Sequence, residues 1–337
     1  MSAVLLAGGG TGGHLYPALA LGEALRAERP GLHVHFTGAA RGVEARVLPQ
    51  QGVPHTLLPF EPIRRDRVWQ NWRLIPSLGR SFAGLRRLFA TVGPRLVVGT
   101  GGYASGPACL YAMSKRVPIA LQEQNSSPGI ATRMLSRWAS QVHLGFPEAE
   151  QHLRTGRRTR VYALGNPIRP PDTTLDRGEC RARFDLTNAA TVALVVGGSQ
   201  GARAVNDALL GALGKVAVGT LAPPPPQLEL LWATGPSHID LIRERLVALD
   251  LDFTIRTYGY IDEMPKALAA ADIALSRAGA MATAELLAWG IPALLVPLPT
   301  AAADHQTHNA RALEAAGAAV CLPQAALTPE LLWTELV

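Results

Sequence analysis

The chain has 337 residues, 48% hydrophobic and 17% charged, with 33 Gly, 26 Pro and a formal net charge of +6, which allows two ordinary domains with many tight loops and excludes a disordered or fibrous polymer. Its three distant cysteines, Cys109, Cys180 and Cys321, give neither a disulfide framework nor a metal-ligand spacing, as in a reducing cytoplasm. Charge is uneven: residues 1–167 hold 20 Lys+Arg against 8 Asp+Glu and residues 168–337 hold 12 against 18, so the first half is expected to face an anionic surface or ligand.

In chain order, short apolar β-branched runs predict strands at 3–7, 32–37, 54–58, 95–99, 117–121 and 141–145, then at 191–196, 228–232, 253–257, 272–275 and 292–296. Amphipathic stretches between them predict helices at 14–28, 70–91, 105–115, 202–217, 238–249, 281–289 and 304–316. Such alternation builds βαβ units and parallel sheets. The two series predict an α/β chain of two doubly wound, Rossmann-like domains, residues 1–164 and 165–337. The stretch Gly165-Asn166-Pro167-Ile168-Arg169-Pro170-Pro171 is the expected hinge, because proline fixes the chain there and the charge changes sign beyond it. Pro223 to Pro226 reads as a stiff surface loop. The N-terminus lacks a basic n-region. The longest charge-free stretch, between Glu285 and Asp304, is broken by Pro292, Pro297 and Pro299. Neither a signal peptide nor a membrane span is therefore expected.

The first strand runs into Gly8-Gly9-Gly10-Thr11-Gly12-Gly13-His14. In an open parallel sheet, ligands bind outside the carboxyl ends of the strands. Glycine lets the backbone approach a ligand closely, and the helix that follows offers free N–H groups to an anion. Taken alone, the loop is equally a packing device. The spacing is not that of a P-loop, and no acid for a dinucleotide ribose follows the second strand, where Thr37-Gly38-Ala39 stands. The device recurs after three more strands: 99–107, 197–202 and 276–280. Two such loops in each domain predict two anionic ligands meeting for group transfer.

In order, GGTGGH, GGYASGP, EQN (123–125), GNPIR (165–169), GGSQGA, SRAGA with Glu285, and DHQTHNA (304–310) resemble the MurG family, the N-acetylglucosaminyltransferases of bacterial peptidoglycan synthesis. The motifs span residues 8–310. The resemblance implies the GT-B fold, two Rossmann-like domains facing a deep cleft, with the last helix expected to pack back on the first domain. It also implies inverting transfer of N-acetylglucosamine from UDP-N-acetylglucosamine to the 4-hydroxyl of lipid I, giving lipid II.

An inverting transfer needs a base for the acceptor hydroxyl and stabilisation for the departing diphosphate. His14, at a helix start, is the candidate base; the alternative is a histidine that only hydrogen-bonds its own loop or the sugar. Ser199 and the amides of Gly198, Gln200 and Gly201 are expected to cradle the UDP diphosphate, with Arg169 adding charge. By resemblance, Glu285 takes the ribose hydroxyls and Ile261 contacts uracil through its backbone. Ala280, Met281, Ala282, Thr283 and Ala284 line the same donor pocket. Asn125 and Gln306 resemble contacts to the sugar and diphosphate, and Thr11, Gly12 and Gly13 reach the sugar from the other side. Gly102, Tyr103, Ser105 and Gly106 are assigned to the acceptor diphosphate. No metal site is expected: Asp250-Leu251-Asp252 precedes a strand and so lies at the sheet's amino edge. His305 and His308 read as helix-start residues. No cofactor is required, and a divalent cation is at most stimulatory.

Lipid I is a membrane substrate, so the resemblance implies a peripheral enzyme on the cytoplasmic face of the cell membrane. Residues 64–89 carry seven arginines and one acid. Val68, Trp72, Ile75, Leu78, Phe82, Leu85 and Phe89 fall at helical spacing, a core stripe, while Trp69, Leu74 and Leu88 stand off it. Arg64, Arg65, Trp69, Trp72 and Arg73 are the candidate contact with an anionic lipid surface. The basic half carries no nucleic-acid-binding motif. A nicotinamide oxidoreductase is disfavoured by the absent ribose acid. A UDP-sugar 2-epimerase shares the two-domain fold but needs neither an acceptor nor a lipid-facing patch, and a nucleotide-sugar sensor needs no base.

Overall fold

The computed structural model describes residues 2–62, 69, 72, 75–198, 200–301 and 304–337. The chain divides into two compact units, Met1–Ile168 and Arg169–Val337.

The first unit is a seven-stranded parallel sheet: β1 (Ala3–Ala7), β2 (His33–Ala39), β3 (His55–Leu58), β4 (Pro94–Gly99), β5 (Ile119–Glu123), β6 (Gln141–Leu144) and β7 (Arg160–Ala163), in the order β3-β2-β1-β4-β5-β6-β7. Its helices are α1 (Gly12–Glu28), α2 (Glu44–Gln50), α3 (Ile75–Val92), α4 (Gly102–Ser114) and α5 (Ile130–Leu135). β1 is buried along its whole length, as a central parallel strand covered on both faces must be. Its period of two splits the core: Leu5 and Ala7 join one apolar cluster with Val97, Ile119 and Val142, while Val4 and Leu6 join another with Val34 and Phe36. Each large side chain so buried contributes about 1.5–3 kcal/mol. Gly22 of α1 lets the helix settle on the sheet, since a Cβ there would lie 2.5 Å from the Phe36 ring.

The second unit contains α6 (Arg177–Arg183), β8 (Thr191–Val196), α7 (Arg203–Ala217), β9 (Leu228–Ala233), α8 (Ile239–Val247), β10 (Ile255–Tyr258), α9 (Met264–Ala270), β11 (Ile273–Ser276), α10 (Ala280–Ala288), β12 (Ala293–Leu295), α11 (His305–Ala315), β13 (Ala319–Cys321) and α12 (Pro329–Leu336). Its parallel sheet has the order β10-β9-β8-β11-β12-β13. α12 places Leu332, Trp333 and Leu336 in the core of its own unit and packs on α7.

All eleven predicted strands occur, joined by the edge strands β7 and β13. α2, α5, α6 and α9 are additions of six or seven residues, too short for a helical period to register. α1 and α4 begin two and three residues earlier than predicted, inside their glycine loops. The α3 stripe needs correction. Ser77, Ser81, Leu85 and Leu88 are buried, whereas Leu78 and Phe82 are 44% and 38% exposed. The buried serine at position 77 is tolerable because its hydroxyl donates to the Pro59 carbonyl at 2.5 Å. No helix among the described residues is long and apolar enough to cross a membrane.

Candidate functional site

Each sheet reverses its strand order once, β1 against β4 in the first unit and β8 against β11 in the second. The four glycine loops are the four connections leaving these strands, starting beside the pairs Ala7–Gly99 and Val196–Ser276. They therefore stand at the two topological switch points, where open α/β sheets bind ligands.

In the first unit the two loops interlock. Gly9 and Gly10 have φ of 150° and 89°, and Gly101 and Gly102 have φ of 94° and 73°, conformations that favour glycine. A Cβ on Gly102 would lie 1.9 Å from the Gly9 carbonyl oxygen, and one on Gly101 would lie 2.7 Å from His14 Nδ1. Between these loops sits His14, third residue of α1 and half-buried. Its Nδ1 is 2.8 Å from Gln124 Oε1, and its carbonyl accepts from Thr100 Oγ1 at 2.8 Å. Gln124, buried, donates through Nε2 to the carbonyls of Thr100 (2.8 Å) and Gln122 (3.1 Å). Gln122 donates to Asn166 Oδ1 at 3.1 Å, and Asn166 Nδ2 donates to the Gln124 carbonyl at 2.9 Å.

Beneath the first loop lies Glu44, fully buried at the start of α2. Its carboxylate accepts from Gly10 N (2.9 and 3.0 Å) and Ala39 N (2.7 Å). The Tyr103 ring lies over Gly10; burial, then the nearby Glu44 charge, pushes its hydroxyl above the ordinary tyrosine range. Glu123 is a second buried carboxylate, accepting from Asn125 N at 3.2 Å and Gly129 N at 3.0 Å. Thr11 and Gly13 are exposed. Ser105 is buried and its hydroxyl donates to the Gly102 carbonyl at 3.1 Å, so what it offers an anion is its position in the first turn of α4.

The second unit holds a cavity of about 620 Å³ at the carboxyl edge of its sheet, lined by Gly197, Gly198 and Gly201, by Ser276, Arg277 and Gly279, and by Ala282 and Gln306. Gly198 and Gly201 have φ of 96° and 75°. A Cβ on Gly201 would lie 2.0 Å from the Thr234 carbonyl oxygen, and buried Asn206 holds that carbonyl at 2.7 Å. Arg277 donates to the Val296 and Pro297 carbonyls at 3.1 Å and to Gln324 Oε1 at 2.7 Å. Gln306 accepts from Leu298 N at 3.0 Å.

Glu285 lies mid-way along α10. It is half-buried, burial raises its carboxyl above the usual carboxylate range, and among the described residues its carboxylate has no partner. Thr283 is fully buried and donates to the Gly279 carbonyl at 3.1 Å. Ile261 is buried just beyond β10, Ala280 is buried, and Met281 and Ala284 are half-buried. Arg169 is exposed. Thus Gly198, Ala282 and Gln306 share the cavity, which Ile261, Glu285 and Arg169 do not line. Ser199, Arg64, Arg65 and Arg73 lie outside the described residues. Trp69 and Trp72 are 72% and 63% exposed. Among the described residues no group of three or more His, Cys, Asp or Glu side chains is placed to hold a metal ion.

The sequence reading missed Glu44, Gln122, Gln124 and Asn166 in the first unit and Arg203, Asp207, Arg277 and Gln324 at the cavity. Gln124 and Asn166 stood inside the motifs EQN and GNPIR, which were a usable signal; a lone Glu44 was not.

Residues 4–144 match the glycosyltransferase family 28 N-terminal domain and residues 192–337 the glycosyltransferase family 28 C-terminal domain. A UDP-N-acetylglucosamine–N-acetylmuramyl-(pentapeptide) pyrophosphoryl-undecaprenol N-acetylglucosamine transferase of Moorella thermoacetica is 41% identical, over 94% of this chain and 84% of that one. The protein of the same description from Chlorobaculum parvum is 42% identical, over 95% and 85%. The crystal structure of Acinetobacter baumannii MurG superposes with a TM-score of 0.77 at 28% identity, covering 99% of this chain and 90% of that one.

Proposed function

The chain belongs to glycosyltransferase family 28 and, within it, to the MurG transferases, and on that premise we propose the following reaction and roles. The enzyme moves N-acetylglucosamine from UDP-N-acetylglucosamine to the 4-hydroxyl of lipid I, with inversion, and releases lipid II and UDP. The acceptor oxygen attacks the anomeric carbon, the bond to the UDP oxygen breaks with its electron pair on the diphosphate, and His14 takes the hydroxyl proton.

The diphosphate occupies the cavity of the second unit, on the amides of Gly198, Gln200 and Gly201 at the positive end of α7, with Ser199 beside them; Arg169, outside the cavity lining, supplies charge to the phosphates. Glu285 takes the ribose hydroxyls; a half-buried carboxylate without a protein partner is suited to accept from two adjacent hydroxyls. Ile261 meets uracil through its backbone, Ala280, Met281, Ala282 and Ala284 wall the nucleoside, and the buried Thr283 supports that wall from behind. Gln306, Asn125, Thr11, Gly12 and Gly13 contact the sugar and its phosphate. Gly102, Tyr103, Ser105 and Gly106, in the first turn of α4, receive the acceptor diphosphate. These steps require no cofactor, and a divalent cation is at most stimulatory.

The enzyme works at the cytoplasmic face of the membrane as a peripheral protein, held by an anionic lipid surface. Trp69, Trp72, Leu78 and Phe82 expose apolar surface, Arg80, Arg86 and Arg87 of α3 are exposed beside them, and the neighbouring α4 and α5 expose Leu110, Ile130 and Met134. An aromatic and arginine surface of this kind suits the headgroup region.

The observation that carries the reading is the placing of the glycine loops at both switch points, one pair enclosing His14 and the other opening on the cavity. The test is incubation with UDP-N-acetylglucosamine and a lipid I analogue. Lipid-linked disaccharide, with UDP released only when acceptor is present, is the expected result. Free N-acetylmannosamine formed without acceptor would mean an epimerase instead.

A further inference from the structure

We infer that Gln124 is the positioning residue of the transfer, fixing His14 as the Nδ1–H tautomer so that Nε2 carries the lone pair that receives the acceptor proton. The inference rests on the reading of His14 as the base.

It follows from the direction of the hydrogen bonds. Gln124 Nε2 faces the carbonyl oxygens of Thr100 and Gln122. A carbonyl can only accept, so the amide nitrogen must be the group turned toward them. Gln124 Oε1 is then the atom 2.8 Å from His14 Nδ1. An amide oxygen has no proton to give, so the proton of this bond belongs to Nδ1, and the neutral ring keeps its lone pair on Nε2.

The same logic locks Gln124 from behind. Asn166 Nδ2 donates to the Gln124 carbonyl, so Asn166 Oδ1 is the atom that receives Gln122 Nε2. Gln122 Oε1 in turn accepts from Gln124 Nε2. Gln122 and Gln124 are buried, where reversing either amide would oppose donor to donor and acceptor to acceptor. The chain of amides runs from Asn166, in the segment expected to be the hinge, to the ring of His14. Glycine at 101 is what lets the ring reach Gln124, because a Cβ there would meet Nδ1 at 2.7 Å.

In the transfer, Nε2 takes the proton of the acceptor hydroxyl as its oxygen bonds to the anomeric carbon and the UDP oxygen leaves with the electron pair. Gln124 Oε1 continues to accept Nδ1–H in the imidazolium that results, and Nε2 afterwards gives the proton to water. Without Gln124, the ring is free to take the Nε2–H form, in which its lone pair points away from the substrate.

The experiment uses the full chain with 15N-labelled histidine. Two-bond 15N–1H correlation spectra are expected to show neutral His14 with its proton on Nδ1, and Gln124→Met is expected to lose that preference. Turnover of Gln124→Met should fall about 10–100-fold, with KM for UDP-N-acetylglucosamine changed by less than about twofold. Unaltered hydrogen exchange over β1, β4 and β5 confirms that the first unit of the variant is folded. An Nε2–H signal for His14 in the unsubstituted protein overturns the positioning role alone. So does full turnover in Gln124→Met. Full turnover in His14→Ala overturns the base reading itself, and the positioning role with it.

Discussion

Glu44 shows how a residue can govern a site without touching a ligand. Its carboxylate is sealed from water and, among the described residues, accepts only backbone amides, those of Gly10 and Ala39. Three glycines crowd it: a Cβ on Gly9, Gly38 or Gly42 would lie 2.3–2.5 Å from its side-chain atoms. The glycine loop owes part of its composition to this buried acid as well as to a ligand. Glu44→Gln keeps the shape but turns an NH2 group toward an N–H donor. We expect a loss of about 1–3 kcal/mol in stability, the usual cost of a buried donor left unpaired, seen as a lower melting temperature, together with reduced turnover because the loop that carries His14 shifts. A variant that melts and turns over like the native protein would remove Glu44 from this role. Nothing in the sequence around Glu44 announces a buried carboxylate, because its partners are backbone amides, which leave no residue-type signal, and one of them, Gly10 N, is 34 residues away. His14 and the glycine motifs were legible for the opposite reason: their chemistry lies in a contiguous string.

Elements were legible where their pattern is long and one-sided. β1 and β8 are continuous apolar runs ending in glycine, and both were placed to within a residue. β7 was not, because Arg160, Val161, Tyr162 and Ala163 form a short edge strand with an exposed arginine and an exposed final alanine. α3 misled by periodicity, since Ser77 and Ser81 take the buried positions that Leu78 and Phe82 were expected to fill. That error has a functional side. An apolar stripe that is not core is free to meet lipid, so the double variant Leu78→Ser, Phe82→Ser should fold normally. It should also lose most of its binding to vesicles containing anionic lipid, by about tenfold or more given the apolar area removed. Co-sedimentation unchanged from the native protein would exclude this helix from the membrane contact. The β2–β3 edge carries a different prediction. His35 is held down to about 4, first by burial and then by the charges of His33 and His55, and its Nε2 lies 2.9 Å from Thr56 Oγ1. A histidine whose folded value lies below its free value of 6.5 contributes stability above pH 6.5. That contribution is lost progressively as pH falls toward 4, since the unfolded chain binds the proton more readily. Half-exposure and solvent screening limit the effect to about 1–2 kcal/mol. Thermal melts between pH 7 and 4.5 should fall more steeply for the native chain than for His35→Gln; parallel curves would rule out His35 as the cause.

At the scale of the molecule, charge and ligand chemistry divide along the same line. The basic half of the chain carries the exposed Trp69, Trp72, Leu78 and Phe82, and the acidic half carries the cavity proposed for the nucleotide. Among the described residues, two apolar clusters have their buried members between residues 4 and 149, and one has its buried members between 193 and 336. A ligand held by the second unit should therefore stabilise that unit's own core and leave the other to respond only through whatever the two share. Binding to the native form alone adds RT ln(1 + [L]/Kd), about 2.7 kcal/mol at a hundredfold excess over Kd. For a unit of this size that corresponds to a rise of roughly 5–10 °C in its melting temperature. Hydrogen exchange read peptide by peptide can locate the gain. With saturating UDP, protection should rise in β8, α7, β11 and α10, and amides of 197–202 and 277–282 should slow most, as the groups that face the diphosphate and nucleoside. Glu285→Ala should reduce this protection at equal UDP by weakening the ribose contact, while leaving the loops' exchange in the absence of UDP unaltered. Protection appearing instead around Gly9–His14 and Gly101–Ser105, with the second unit unmoved, would place the nucleotide in the first unit and reverse the assignment of donor and acceptor between the two sheets.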